Sequence, residues 1–519
     1  MRKNLLLIAV LILVACAPQE ARGAQNHIEF DPTVYYSQLI INSNLYHFHC
    51  NTGKVGGLGR YDASTGTVST GEYVSSRKFD YVNGLVFKAT LEAIQQHYNT
   101  EGIEEDAFSW FKSVEEFGNR YYNDSRDGKS LDDLNACKLY FGLYDITKSG
   151  GVCGASYENS TTASNCTTAK TKALAGLNTH NSSYSISSAV SNAFSGDESY
   201  TGGWFHKDTY KNQLWLDGQY MGPALLAMMI ADGRYISGSA AGDWAIIRKQ
   251  FDMCWNRLWD SEMKLLYHAF SADPTNAQNN SEANYWADQT GTYATNPHYG
   301  ASSEFWGRAA GWYFFALVDI LEQMDKIGKN GSDPDYVEFK RQLEAVADGL
   351  LNCEGRDAAT GCWCQLLQYP KGHVPEGCST ANYLESSASA IFTATFLKGI
   401  RLGYLSRSKY EAAAKKAYKG FVEQFIVENT DGEDSGNAYS IINCCASAGL
   451  DNGRNGSAAY YLADVGDKDT KKITTYTEGK VLGAFILAAT EYERAYPPAA
   501  AAAALAGGEC RCLRVSVSE

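Results

Sequence analysis

Apolar residues recur at steps of four and three along four separated stretches of this chain. Phe87, Leu91, Ile94 and Tyr98 form one stripe; Ala310, Phe314, Leu317, Leu321 and Met324 form a second. Phe392, Phe396, Ile400 and Tyr404 form a third, and Val481, Phe485, Ala488 and Tyr492 a fourth. That spacing places each set on one face of an α-helix, so each stripe is read as a buried face. Only 10 of the 519 residues are proline, which leaves long helices uninterrupted. Clusters of Gly, Asn, Asp and Ser separate the stretches, as helix ends and loops require, and strand signals are few and short. Nothing resembling a linker divides residues 30–496, so one large all-α domain is the simplest expectation for a length that would allow about three domains.

The two ends read differently. Met1-Arg2-Lys3 followed by the apolar run Leu5 to Val14 has the form of a secretory signal and is too short for a membrane-spanning helix. Leu13-Val14-Ala15-Cys16 matches a lipoprotein box, so residues 1–24 are expected to direct export, with Cys16 a candidate lipid anchor. The expected destination is the periplasm, the cell surface or the medium. Residues 25–496 form the expected domain, and residues 497–519, which open with Pro497-Pro498 and hold an alanine run, are expected to be a disordered tail. Cys510 and Cys512 in that tail are too few to make a metal site. Inside the domain, residues 150–203 are rich in Ser, Thr, Asn and Gly and read as a surface excursion, with Cys137, Cys153 and Cys166 placed to staple it.

A formal charge of −14 argues against a nucleic-acid partner. The aromatic load of 34 Tyr, 21 Phe and 10 Trp suits both a large core and a sugar-stacking cleft. Chemistry concentrates in four places. Trp204-Phe205-His206-Lys207 and then Gln213 to Pro223 bring a histidine, a lysine, aromatic rings and Asp217 into one short stretch. Flanked by Leu216 and Gly218, with Trp215 and Tyr220 near, Asp217 is expected to lose solvation, which raises a carboxyl pKa and suits it to donate a proton; a helix N-cap is the competing use. Arg308 and Trp312 stand four apart, on one helix face, in Phe305-Trp306-Gly307-Arg308-Ala309-Ala310-Gly311-Trp312. Ser386 and Ser389, in Asn382 to Ala390, open a helix whose backbone N–H groups can bind an anion or simply be capped. Asp132 or Asp133 offers a second carboxylate or a cap, and His268 stands alone.

In this order, His206-Lys207 with Gln213 to Pro223, then Phe305 to Trp312, then Asn382 to Ala390 resemble the unsaturated rhamnogalacturonyl hydrolases of glycoside hydrolase family 105, with a more distant similarity to the unsaturated glucuronyl hydrolases of family 88. The similarity runs from Lys78-Phe79-Asp80-Tyr81 to Tyr496. The resemblance implies an (α/α)6 barrel with the active site at one mouth. It implies Asp217 as the principal catalytic aspartate and Asp132 as the second carboxylate, expected to keep Asp217 protonated by like-charge repulsion. It implies His206, His268, Arg308 and Trp312 as residues lining the site, with Trp215, Trp204, Ser386 and Ser389 beside the substrate. The implied substrate is a lyase-generated pectin oligosaccharide ending in a 4,5-unsaturated uronic acid, and the implied reaction hydrates its vinyl ether with no metal or organic cofactor. Phe79 departs from a position where the family often has Trp, and Cys362-Trp363-Cys364 from a more aromatic family pattern. Two alternatives stand beside this one: the same chemistry on another unsaturated glucuronyl oligosaccharide, and a glycan-binding lipoprotein without catalysis.

Overall fold

The structure is a computed structural model that describes residues 26–50, 54–69, 79–196, 200–276, 286–429, 437–451, 454–463 and 473–498. The expected export signal with Cys16, the Cys510–Cys512 pair and all of the expected tail except Pro497-Pro498 lie outside the described residues. Among the described residues no helix is long and apolar enough to cross a membrane.

Helices alternate between an outer and an inner layer along the chain. The first pair is α1 (Tyr36–Asn44), outer, and α2 (Tyr81–His97), inner; then come outer α3 (Glu104–Tyr121) and an inner run of α4 (Leu131–Asn135), a 3-10 turn at Ala136–Lys138 and α5 (Leu139–Thr147). Outer α6 (Ser160–Ser183) and the short α7 (Ser188–Ser195) lead to inner α8 (Leu216–Met221) and α9 (Pro223–Ala231), which meet at Gly222-Pro223. Outer α10 (Ala240–Leu258), inner α11 (Gly307–Lys326), outer α12 (Pro334–Asn352), inner α13 (Ser386–Arg401) and outer α14 (Arg407–Phe425) follow. The short α15 (Ala458–Leu462) precedes inner α16 (Gly479–Ala495).

The inner elements close a ring. Helix α2 packs on α16 and on α5, α4 on α8, α8 and α9 on α11, α11 on α13, and α13 on α16. Each outer helix covers an inner neighbour: α3 on α2, α6 on α5, α10 on α9, α12 on α11, α14 on α13 and α1 on α16. This is the (α/α)6 barrel. Close packing at α2 depends on two glycines: a Cβ at Gly84 would stand 2.4 Å from the Cα of Ala136, and one at Gly483 would stand 2.7 Å from the Leu85 side chain. Strands are pairs or triplets at the mouth, such as Gln213–Trp215 against Ala269–Ser271 with Trp215 opposite Ala269.

Three expectations are corrected. The four stripes fall on inner helices, but these are buried nearly all round rather than on one face; in α13 every residue from Ser386 to Ile400 is buried. An inner helix has the barrel axis on one side and outer helices on the other, so its polar residues must pair internally. Lys398 Nζ lies 2.6 Å from Asp319 and 2.9 Å from Glu322, and Lys88 and Lys138 also act on Asp319. Although burial alone would raise the Asp319 carboxyl, these lysines hold it well below the usual carboxylate range.

The second correction concerns residues 150–203, which supply an outer barrel helix. Helix α6 buries Ala163, Cys166, Ala169, Ala173 and Leu177 at helical spacing, and Asn159 caps it by accepting from the N–H groups of Thr161 and Thr162. A face built of alanine, threonine and one leucine carries too little hydrophobic contrast to read as a stripe. The third is the staple, since Cys137, Cys153 and Cys166 are buried free thiols.

The axial charges yield a prediction. Asp319→Ala takes from Lys398 its nearest carboxylate and removes a negative charge that Lys88 and Lys138 also feel, and urea melts are expected to show a loss of about 3–5 kcal/mol, the scale of breaking a buried ion pair.

Candidate active site

The starts of all six inner runs meet at one end of the barrel. Tyr81, first in α2, feels the charges of Asp132 in α4, Arg308 in α11 and Glu478 ahead of α16. Arg308 stands 3.9 Å from Glu385, which caps α13, and its charge reaches Asp217 in the first turn of α8. Six positive helix ends therefore face one mouth.

Asp217 is not a cap. Helix α8 begins at Leu216, its N-cap is Trp215, and the Asp217 carboxylate turns to His268, with Oδ2 at 3.1 Å from Nε2. The short strand pair places the two: Leu216 N–H donates to the His268 carbonyl at 3.0 Å. His268 Nδ1 lies 2.6 Å from the Tyr461 hydroxyl. Burial lowers the His268 pKa; an ionised carboxylate only accepts, so Nε2–H donates to Asp217, and in the neutral ring Nδ1 then accepts from Tyr461. The His268 side chain is fully buried, whereas Asp217 keeps 14% of its side chain accessible and is the member of the chain that a ligand can reach.

The expected rise in the Asp217 pKa is overturned. Burial does push the carboxyl up, but the His268 hydrogen bond and the pull of His268, His206 and Arg308 carry it below its ordinary value. Asp132 does not oppose them. Its own carboxylate lies 2.7 Å from Lys207 Nζ and 3.3 Å from His206 Nε2, which hold it well below the usual range against the cost of burial. In turn Asp132 pushes Lys207 up to about 12. The repulsion of Asp132 falls on its neighbour Asp133, which burial and Asp132 together raise, and Asp132 is not among the main groups that shift Asp217.

The aromatic wall is a stack. His206 lies flat on Trp215, centroids 4.9 Å apart and planes at 3°, and Tyr210 also stacks on Trp215 at 4.7 Å and 12°, its ring 6.3 Å from that of His206. Trp215 also meets His268 edge-on at 5.2 Å. His206 Nδ1 is buried without a partner among the described residues, and Gly218, next to Asp217, lies beside it.

Other predicted residues sit elsewhere. Arg308 is buried: Nη1 donates to Ser387 Oγ at 3.0 Å and to the Cys445 carbonyl at 2.5 Å, and its guanidinium lies 4.7 Å from the Trp306 ring centroid. It holds the 443–446 segment and acts on Asp217 through space, rather than facing substrate groups. Trp312, one turn deeper, stacks on Tyr220 at 4.9 Å and belongs to the core. Trp204 is likewise core, its indole N–H donating to Asn181. The start of α13 is not open to an anion, because the Glu385 carboxylate already accepts from Ala388 N–H at 2.7 Å, from Cys445 N–H at 2.7 Å and from Ser387. Ser389 Oγ accepts from Trp363 N–H, and Ser386 is fully buried. Tyr461, Tyr210, Lys207, Trp306 and Glu385 are the members that the site-residue expectation lacked. Lys207 stood beside His206 in the motif, but Tyr461, in Ala459-Tyr460-Tyr461, carries no local signal.

The family model of Glycosyl Hydrolase Family 88 matches residues 179–496. The chain belongs to glycosyl hydrolase family 88. Asp217, His206, His268 and Arg308 fall inside the match, and Asp132 lies ahead of it. A protein of Agrobacterium fabrum, Atu3128, is 30% identical over 172 residues, which are 33% of this chain and 66% of that protein. An unsaturated 3S-rhamnoglycuronyl hydrolase of Formosa agariphila is 28% identical over 119 residues, 23% of this chain and 27% of that enzyme. A solved family 105 glycoside hydrolase of C. acetobutylicum shares the fold, with a TM-score of 0.59 and 24% identity, over 89% of this chain and 100% of the other.

The Asp132 cluster can be tested through stability. A carboxyl held below its ordinary value stabilises the fold above the unfolded pKa, and that contribution fades as pH falls through the acid range. Asp132→Asn is expected to cost about 1–3 kcal/mol in urea melts at pH 7 and less as the pH drops below about 4.

Proposed function

We propose that this family 88 protein hydrates the C4=C5 vinyl ether of a 4,5-unsaturated uronic acid at the non-reducing end of a lyase-generated oligosaccharide, releasing the sugar chain. The observation that carries this reading is the accessible Asp217 carboxylate at the mouth, oriented by buried His268. Protonated Asp217 gives its proton to C4. Positive character develops at C5 and the ring oxygen, and the ionised Asp217 then takes a proton from the water that attacks C5. The hemiketal so formed collapses to a keto-uronate and the freed sugar hydroxyl. One carboxyl serves as acid and then as base, so the spacing rule for paired carboxylates does not govern this reaction.

The substrate itself supplies what Asp132 does not. A uronate carboxylate bound beside Asp217 raises its pKa by like-charge repulsion, so proton donation becomes available when substrate is present. His206, Trp215 and Tyr210 are the wall against which the ring packs. Rhamnogalacturonan fragments of pectin are the proposed source, supported by the motif order and by the partial relative that acts on a rhamnoglycuronyl unit. Export to the periplasm, cell surface or medium accords with a polymer-derived substrate.

Two outcomes test the reading by loss of the ultraviolet absorbance of the double bond. Asp217→Asn is expected to lower kcat by about 10²–10⁴-fold; wild-type turnover in that variant overturns the assignment. His268→Asn removes the main groups that lower the Asp217 pKa. An acid must be protonated to act, so the alkaline limb of kcat/KM is expected to move to higher pH, even as the rate falls.

A further inference from the structure

Outside the Asp217 cluster lies a cavity of about 550 Å³, within the range of small-molecule sites. Its walls come from the 286–289 and 298–303 segments, from Tyr267 and from Asn455 and Ser457. Neither Asp217, His268 nor Asp132 lines it.

The lining has the character of a sugar site. Tyr267 and Trp286 supply rings, and Ser302, Ser303, Asn455 and Ser457 supply hydroxyls and an amide. Lysine and arginine do not contribute to the lining. The Asp288 carboxylate is present and already accepts from Thr290 N–H and Asn296 Nδ2, both at 2.7 Å. Two further titratable members turn to Asp260: His298 at 3.8 Å, and the Tyr267 hydroxyl, which donates to it at 3.2 Å. A wall with a carboxylate and no lysine or arginine disfavours a second anion and suits an uncharged, hydroxyl-rich unit. Trp286 is 4% exposed and its indole N–H, closed off from solvent, has no acceptor among the described residues, so what Trp286 gives the wall is its ring.

The cavity is joined to the reacting end. Trp286 belongs to one apolar cluster with Trp215, Tyr210, Ala269 and Leu450. Ser302 Oγ accepts from the Ala269 N–H at 3.2 Å, one residue from His268. Tyr267 and His268 are neighbours in the bend between two short strands; Tyr267 lines the cavity and His268 reaches Asp217.

We propose that this cavity is a distal subsite that takes a neutral sugar unit of the oligosaccharide whose unsaturated end lies at Asp217. The proposal rests on the uronyl hydrolase reading, and it assigns Trp286 to substrate length and identity rather than to the chemical step.

The test compares unsaturated di- and tetrasaccharides from a polysaccharide lyase digest on the full-length protein. Trp286→Phe keeps a ring but reduces the wall it gives the cavity. It is expected to raise KM for the tetrasaccharide roughly fivefold, with kcat unchanged and the disaccharide KM changed less. Gln289→Ala, at an exposed lining position, is expected to repeat the pattern more weakly, which separates it from a folding defect. Equal effects on both lengths, or none on either, overturn the subsite. If wild type turns over neither substrate, the uronyl reading fails, and calorimetric titration with maltotriose, cellotriose and β-1,4-galactotriose decides the cavity separately. Binding lost in Trp286→Phe supports a neutral-sugar site, and no binding of any trisaccharide overturns it.

Discussion

The site depends on six inner helical runs that all begin at the same mouth. Each start leaves backbone N–H groups without helical partners and carries a partial positive charge. Part of that charge is answered from within the chain. Asp80 accepts from Asn83 N–H, Glu385 from Ala388 N–H and Glu478 from Lys480 N–H. The start of α8 is different, because its N-cap is Trp215 and its first-turn carboxylate, Asp217, is turned to His268 instead of capping. The sequence is acidic overall, with a formal charge of −14, yet this end of the barrel presents helix starts and the part-exposed Lys207. Local attraction for an anionic sugar therefore does not need a basic protein.

A closed ring of helices also dictates the polarity of its own interior. Inner helices are covered on both sides, so polar groups on them have no route to water and must find each other. Lys398 with Asp319 and Glu322 bridges α13 to α11, while Lys138 donates to the Tyr220 carbonyl at 2.5 Å and lies over the Tyr220 ring. Such contacts give little net stability relative to an apolar core, but they penalise any helix register that leaves one of the charges alone. The same logic holds at the mouth, where Arg308 ties α11 to Ser387 of α13 and to the 443–446 segment. A charge that reads as a ligand contact in sequence is, in the folded ring, a tie between neighbouring helices.

The helical class and four inner helices were legible because large apolar residues such as Phe87, Phe314, Phe392 and Phe485 repeat at helical spacing. Helix α6 was not, because its buried face is alanine and threonine, and composition alone made it resemble a loop. The barrel and the order of the site came from motif resemblance rather than from periodicity. Within the site, Asp217, His268, His206 and Asp132 were legible as residues, but their electrostatics were not. Whether burial or a hydrogen bond decides a carboxyl pKa depends on where His268 and Lys207 arrive, and those positions are set by a strand pair and a loop far apart in sequence. Tyr461 lies 193 residues from His268 and could only be found once the ring had closed.

The proposed reaction needs Asp217 protonated at its start, and in the protein alone His268 and Arg308 favour the ionised form. These facts agree if the proton is taken up with the substrate. An anionic uronate entering the mouth adds a negative charge beside Asp217, a charge that Asp132, paired with Lys207, does not supply. Substrate binding and protonation of Asp217 are then linked, each favouring the other. After proton transfer to C4 the positive charge on the sugar favours ionised Asp217, and the His268 hydrogen bond stabilises the same form, the one required to accept a proton from water. A site that favours the carboxylate before substrate arrives is thus suited to the second half of the reaction, and the substrate's own charge prepares the first.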